Sequence, residues 1–232
     1  MSNTTLITGA NRGIGLELVR QYGEDGWNVF ACCRDPENAK ELSQITARSG
    51  GKVSVHPLDV TDAKQIQAMV AAVGDTPIDI LINVAGIYLQ KGVPFGDMDE
   101  SAWLETFRVN TIAPLKMMEA FVDAVAASER KVFANLTSRM GSIGDNTSGG
   151  SYVYRSSKAA LNAVAKNAAI DLNDRGITVV VLHPGWVQTD MGGPSALITV
   201  KQSVTGIRTV LQQISLADSG KFFNFDGSII PW

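Results

Sequence analysis

Short apolar runs alternate with longer amphipathic stretches from Thr4 onward, the pattern of strand-helix units that feed a parallel sheet. The runs predict strands at Thr4–Thr8, Asn28–Cys33, Lys52–Pro57, Ile78–Asn83, Lys131–Leu136, Ile177–His183 and near Gly220–Phe225. Most are apolar without alternation, as expected of strands covered by helices on both faces. Between them, Ile14, Leu18 and Tyr22 form one helical stripe, and Phe107, Leu115, Met118 and Phe121 contribute to another. Asp35 before Pro36 reads as an N-cap followed by proline at the first helical position, and Asp62 with Gln65 resembles a capping box. The predicted fold class is α/β, a doubly wound parallel sheet with helices on both faces. It forms one domain over residues 1–232, without repeats or a linker.

Composition narrows the function. A chain of 232 residues with 45% hydrophobic content can bury a sizeable core. Its formal charge of −3 leaves no basic surplus for a phosphate backbone, so nucleic acid is not an expected partner. The start, Met1 to Thr8, lacks the basic and apolar parts of a secretion signal, and no apolar run reaches membrane-spanning length. A cytoplasmic protein is the expectation. The two cysteines, Cys32 and Cys33, are adjacent and lack Cys or His partners at zinc-site spacing, so they read as reduced strand residues and no metal is expected.

The first strand runs into Thr8-Gly9-Ala10-Asn11-Arg12-Gly13-Ile14-Gly15, which opens the first helix. Backbone amides and the positive end of that helix then face whatever sits above the turn, and a diphosphate fits that description. The second strand ends Cys32-Cys33-Arg34, where a dinucleotide fold presents its adenosine ribose site. Cys33 stands where a carboxylate would accept the diol of NAD, while Arg12 and Arg34 supply two cations for a 2′-phosphate. NADP(H) is therefore expected over NAD(H), although the carboxylate of Asp35 could serve NAD instead if it did not cap a helix ahead of Pro36.

Tyr154 and Lys158 lie one helical turn apart, beyond a Gly/Ser/Asn-rich loop from Gly141 to Ser151. That spacing places both on one helix face, where an ammonium would favour the phenolate and lower the phenol's pKa from about 10. Asn110 interrupts the apolar stretch Val109 to Ile112, and a buried amide there must find partners.

Together these residues resemble the short-chain dehydrogenase/reductase family over essentially the whole chain. Thr8 to Gly15 is similar to the family's cofactor turn, Asp59-Val60 to its adenine-contact pair, and Asn83-Val84-Ala85-Gly86 to its post-strand motif. Asn110 is similar to its helix asparagine, Tyr154 to Lys158 to its catalytic turn, and Pro184-Gly185 with Val187 and Thr189 to its last cofactor segment. The approach Gly149-Gly150-Ser151 and the ending Phe222 to Trp232 resemble the sniffer and C-factor group of carbonyl reductase-like proteins. Val84 stands where an asparagine is common, and Ser138 to Tyr154 is a few residues longer than usual.

The resemblance implies a Rossmann fold in which hydride passes to a carbonyl carbon while Tyr154 protonates the oxygen. Ser138 would hold that oxygen, Lys158 would bind the nicotinamide ribose, and Asn110 would hold a relay water. Ser138 directly follows its strand and is preferred as catalytic serine over Ser142, which reads as a loop hydroxyl. Tyr88, Phe95, Met140, Trp186 and Met191 predict an apolar mouth suited to an uncharged aldehyde, ketone or quinone. The alanine-rich helix from Ser151 to Arg175 predicts a homodimer or homotetramer. A second reading is a dinucleotide-binding signalling protein of C-factor type with little turnover.

Overall fold

The computed structural model describes residues 3–232. Seven strands make one wholly parallel sheet: β1 (Thr4–Thr8), β2 (Asn28–Cys33), β3 (Val53–Pro57), β4 (Ile80–Asn83), β5 (Val132–Leu136), β6 (Thr178–His183) and β7 (Phe222–Asn224). Their order is β3-β2-β1-β4-β5-β6-β7, so the chain reverses its direction of winding between β1 and β4. The crevice above the strand ends at such a switch point is where open α/β sheets bind ligands. The helices are α1 (Gly13–Glu24), α2 (Lys40–Arg48), α3 (Ala63–Val73), α4 (Glu100–Phe107), α5 (Ala113–Ala126), α6 (Tyr152–Asp171) and α7 (Val200–Gln213).

Alternation along each strand divides the core in two. Ile7, Ala31, Cys33, Ile82, Ala134 and Leu182 pack under α1, α2 and α7. Leu6, Cys32, Leu81, Phe133 and Val181 pack under α3, α5 and α6. Burying each side chain the size of Phe133, which is fully enclosed, stabilises the fold by about 1.5–3 kcal/mol. Cys32 and Cys33 are free thiols on opposite faces, and burial pushes both thiol pKa values up, which disfavours the nucleophilic thiolate.

Strand existence follows the apolar runs, while several ends are shorter. Ile78 is buried, but its N–H donates to the Ala124 carbonyl at the end of α5 rather than to a strand. Lys131 takes φ 54°, a turn closed by its N–H donating to Ser128 Oγ, so β5 begins one residue later. The Asp35-Pro36 expectation is corrected outright: α2 begins at Lys40, behind Ala39. Asp35 instead accepts from the Asn38 backbone and side chain, which closes a separate turn after β2. Asp62 does cap α3, accepting from the N–H groups of Lys64 and Gln65. The Gln65 side chain reaches past the cap and accepts from the Asp59 N–H at 2.7 Å.

The Phe107-to-Phe121 stripe is not one continuous helix face. A π-helical turn at Arg108–Ile112 separates α4 from α5, and its wider winding turns Asn110 into the interior, where it is fully buried.

Candidate active site

The switch point opens into a cleft of about 780 Å³, lined by the glycine turn, the ends of β2, β4 and β5, and the segment after β6. Thr8 closes its floor, since Thr8 Oγ1 accepts from both the Val84 and Ala85 N–H groups at 3.0 and 3.2 Å. Gly9 takes φ 66°, and a Cβ on it would stand 3.0 Å from the Ala85 backbone. A Cβ on Gly15 would lie 2.1 Å from the Gly9 carbonyl oxygen. Glycine at position 9 thus lets the turn close against the segment after β4, and glycine at position 15 lets α1 start directly against the turn. Among the described residues no side chain caps α1 and no acidic residue stands in its first turn, leaving its unshared N–H groups and positive end toward the cleft. That donor set fits a diphosphate.

Gly9, Asn11, Arg12, Gly13, Ile14, Gly15, Arg34, Asp59, Val60, Ala85, Gly86, Tyr154, Lys158, Pro184 and Thr189 all line this one cleft. Burial works against the Asp59 carboxylate, but hydrogen bonds from Thr61 and the charges of Arg34 and Arg108 outweigh it and hold its pKa below the ordinary value. Arg12 reaches Asp190 at 2.6 Å, with both side chains largely exposed, so the pair is a weak clasp between the glycine turn and the segment after β6. Asp190 was not foreshadowed by any spacing, because 178 residues separate it from Arg12.

Three expected cofactor residues stand back from the surface of the cleft. Asn83 donates to Asn135 Oδ1 at 2.9 Å and to the Pro114 carbonyl at 3.3 Å, bonds that link β4 to β5 and α5 within the interior. Val187 is buried and pairs with Ile198. Gly185, at φ 85°, leaves room for Ile198 and Phe225, either of which a Cβ would strike.

At the inner end of the cleft, Tyr154 and Lys158 are buried on one face of α6. The Tyr154 hydroxyl lies 4.0 Å from Met191 Sδ. Ser138 caps the short turn Arg139–Gly141, accepting from the Met140 N–H at 3.1 Å. Gly141 lets this turn press on α6, because a Cβ there would stand 2.8 Å from the Lys158 backbone. Ser142 is committed elsewhere: its hydroxyl is bonded to the carbonyls of Pro231 and Trp232, and it accepts from the Asp145 N–H.

The expected electrostatics are corrected here. Burial pushes the Tyr154 phenol well above its ordinary value, the nearby Ser138 side chain offsets only part of this, and Tyr88 adds to the rise. Lys158 Nζ sits 5.9 Å from the phenol ring and donates to the Leu136 carbonyl at 2.9 Å. Burial pushes its own pKa down to about 8. Helix spacing placed the two residues on one face, but the depth of that face, which sets both shifts, is a tertiary property.

Asn110 fastens the surroundings. Its Oδ1 accepts from the Ile87 N–H and its Nδ2 donates to the Ile87 carbonyl, both at 2.9 Å, and Nδ2 also lies 3.0 Å from Ser157 Oγ. Arg155, unremarked in the sequence, donates to the Met140 and Gly149 carbonyls and to Ser148 Oγ, so it ties down the long loop before α6.

The expected mouth is only partly assembled. Met191 lines the cleft, while Trp186 turns its indole N–H onto the Gly192 carbonyl at 2.8 Å and Phe95 stands 86% exposed against Tyr152.

Residues 3–197 match the family model described as short chain dehydrogenase, and the chain belongs to that family and is an oxidoreductase. The chain is similar to C-signal of Myxococcus xanthus, 42% identical over 158 residues, which are 67% of this chain and 93% of that protein. It also superposes on the carbonyl reductase Sniffer of D. melanogaster with a TM-score of 0.94 at 33% identity, covering 100% of both chains. An NADPH-bound carbonyl reductase from chicken fatty liver gives 0.93 at 36% identity, covering 100% of this chain and 99% of that one. Among the described residues no helix is long and apolar enough to cross a membrane.

Proposed function

We propose that this protein is an NADPH-dependent carbonyl reductase that delivers hydride to an uncharged aldehyde, ketone or quinone, with Tyr154 as proton donor. The observation that carries the reading is the joining of two sets of residues in one cleft: the glycine turn with Arg12 and Arg34, and Tyr154 with Lys158. The NADPH- or NADP-bound state of similar carbonyl reductases supports the same choice of cofactor.

The α1 N–H groups would hold the diphosphate, and Arg12 and Arg34 the 2′-phosphate, with Lys158 at the nicotinamide ribose. When bound, the reduced nicotinamide supplies the hydride. Ser138 would donate to the substrate oxygen and hold it beside Tyr154 Oη, which gives up its proton as negative charge develops there. Lys158, with a pKa of about 8, can then return a proton toward the phenol near neutral pH. Met191, set against the Tyr154 hydroxyl, presents an apolar surface to the substrate.

NADPH oxidation followed by absorbance across a panel of aldehydes, ketones and quinones tests the reading. Tight NADPH binding without consumption over a broad panel would favour the signalling alternative, which the likeness to C-signal supports. Two variants sharpen the assignment. Ser138→Ala should lower kcat roughly a hundredfold, the typical effect of losing one donor to a developing oxyanion. Ser142→Ala should retain turnover and instead lower Tm, since its bonds join the loop to Pro231 and Trp232. Reversed outcomes would transfer the catalytic role to Ser142.

For cofactor choice, Arg34→Ala should weaken NADPH by roughly ten- to a hundredfold, the range of one charge-assisted hydrogen bond, while NADH affinity stays nearly constant. Equal losses in both dissociation constants would remove Arg34 from the phosphate site. The outward-facing Ile170 of α6, 63% exposed, supports assembly as a homodimer or homotetramer through that helix, which light scattering would check.

A further inference from the structure

Tyr88 lies in the loop after β4, one residue beyond Ile87, whose N–H and carbonyl are both held by Asn110. Its ring stacks on that of Tyr154, with centroids 4.1 Å apart and planes inclined by 16°. Its hydroxyl lies 2.6 Å from Ser151 Oγ, the residue that precedes α6. Ser151 takes φ 49° and ψ 42°, a left-handed conformation that an L-residue keeps only where neighbours hold it. The other phenol of this region, Tyr152, is exposed and packs against Phe95.

We propose that Tyr88 is a positioning residue for the reaction: its ring braces one face of the Tyr154 phenol, and its hydroxyl ties the post-β4 loop to the start of the catalytic helix. The proposal rests on the reading of Tyr154 as proton donor. A phenol carried on two rotatable side-chain bonds can swing away from a substrate oxygen, and a displacement of about 1 Å in a reacting group can cost a hundredfold in rate. The stack restrains that swing. The hydroxyl bond, in turn, keeps the brace and the helix moving as one body, with Asn110 anchoring the loop from behind. Tyr154 is faced by Tyr88 from this loop, by Ser138 from the turn after β5, by Met191 from the segment after β6, and by Lys158 from its own helix.

The test uses Tyr88→Phe, Ser151→Ala, their double variant and Tyr88→Leu, with 9,10-phenanthrenequinone and NADPH as the probe pair. Tyr88→Phe and Ser151→Ala should each lower kcat by roughly tenfold, and the double variant should be no worse than either, because both remove one hydrogen bond. Tyr88→Leu should lower kcat by roughly a hundredfold with little change in KM or NADPH affinity. Independently of turnover, ultraviolet titration of the cofactor-free protein should show, in Tyr88→Leu, a phenol ionising at lower pH than Tyr154 does in the wild type, because its burial is relieved, and this ionisation should disappear when Tyr154→Phe is added. Tyr88→Phe, which keeps the ring in place, should not show it.

Multiplicative losses in the double variant, a rise in KM at constant kcat, or an unmoved Tyr154 titration in Tyr88→Leu would each overturn the proposal. If the quinone is not consumed, the titration alone decides whether Tyr88 braces the phenol. If Tyr154→Phe turns over like the wild type, the proton-donor reading fails, and the titration still reports separately on the contact between the two rings.

Discussion

Tyr154→Phe is expected to lower kcat by roughly 10²- to 10⁴-fold while the dissociation constant for NADPH stays nearly constant, the range set by loss of a positioned proton donor. The variant keeps the ring, so its stack on Tyr88 and its place under Met191 survive, and only the transferable proton is lost. Steady-state rates paired with fluorescence titration of NADPH check both halves. Undiminished turnover would remove Tyr154 from the mechanism. The pH dependence has a definite sign. Burial holds Tyr154 protonated well past neutrality, so the first group to lose its proton is Lys158, at about pH 8. Carbonyl reduction consumes a proton and should slow as pH rises through that value; the reverse oxidation, which releases one, should gain. A reduction rate flat to pH 10 would separate Lys158 from the proton path.

Gly15→Ala should have the second large effect, and it acts through the backbone. The added Cβ would stand 2.1 Å from the Gly9 oxygen and 3.1 Å from Ala10 Cα, atoms that cannot turn aside as a flexible side chain would. Overpacking of this kind costs about 1–3 kcal/mol or more, which in a chain of this size corresponds to a fall in Tm on the order of 10 °C. To admit the methyl, the turn must lift from the start of α1 and from Ala85, against which Gly9 closes. NADPH binding should therefore be lost along with stability, whereas a change at an exposed glycine such as Gly26, which has open space around it, would leave binding intact. Wild-type affinity in Gly15→Ala would show that the diphosphate does not rest on this turn.

Much of the site was legible because its residues belong to short local patterns. The glycine turn needs glycine wherever it falls, so Gly9 and Gly15 stand out in the sequence before the atoms they avoid are known. Tyr154 and Lys158 share a face by helical spacing alone, and Asp62 caps α3 through neighbours two and three residues away. The cap assigned to Asp35 failed for the complementary reason. A short polar residue before proline suits either a helix start or a free turn, and the Asn38 side chain decided for the turn.

Unbroken apolar runs, helical stripes and turn chemistry thus determined a parallel α/β sheet, the order of its elements and the residue types at the cleft, since each depends on contacts a few residues long. Tertiary structure alone decided what those residues experience: the depth that lifts the Tyr154 pKa and lowers that of Lys158, the bonds that commit Asn83 and Ser142 elsewhere, and the meeting of Arg12 with Asp190 and of Tyr88 with Tyr154. Burial and cross-chain contact are sums over residues distant in sequence, and no local pattern encodes them.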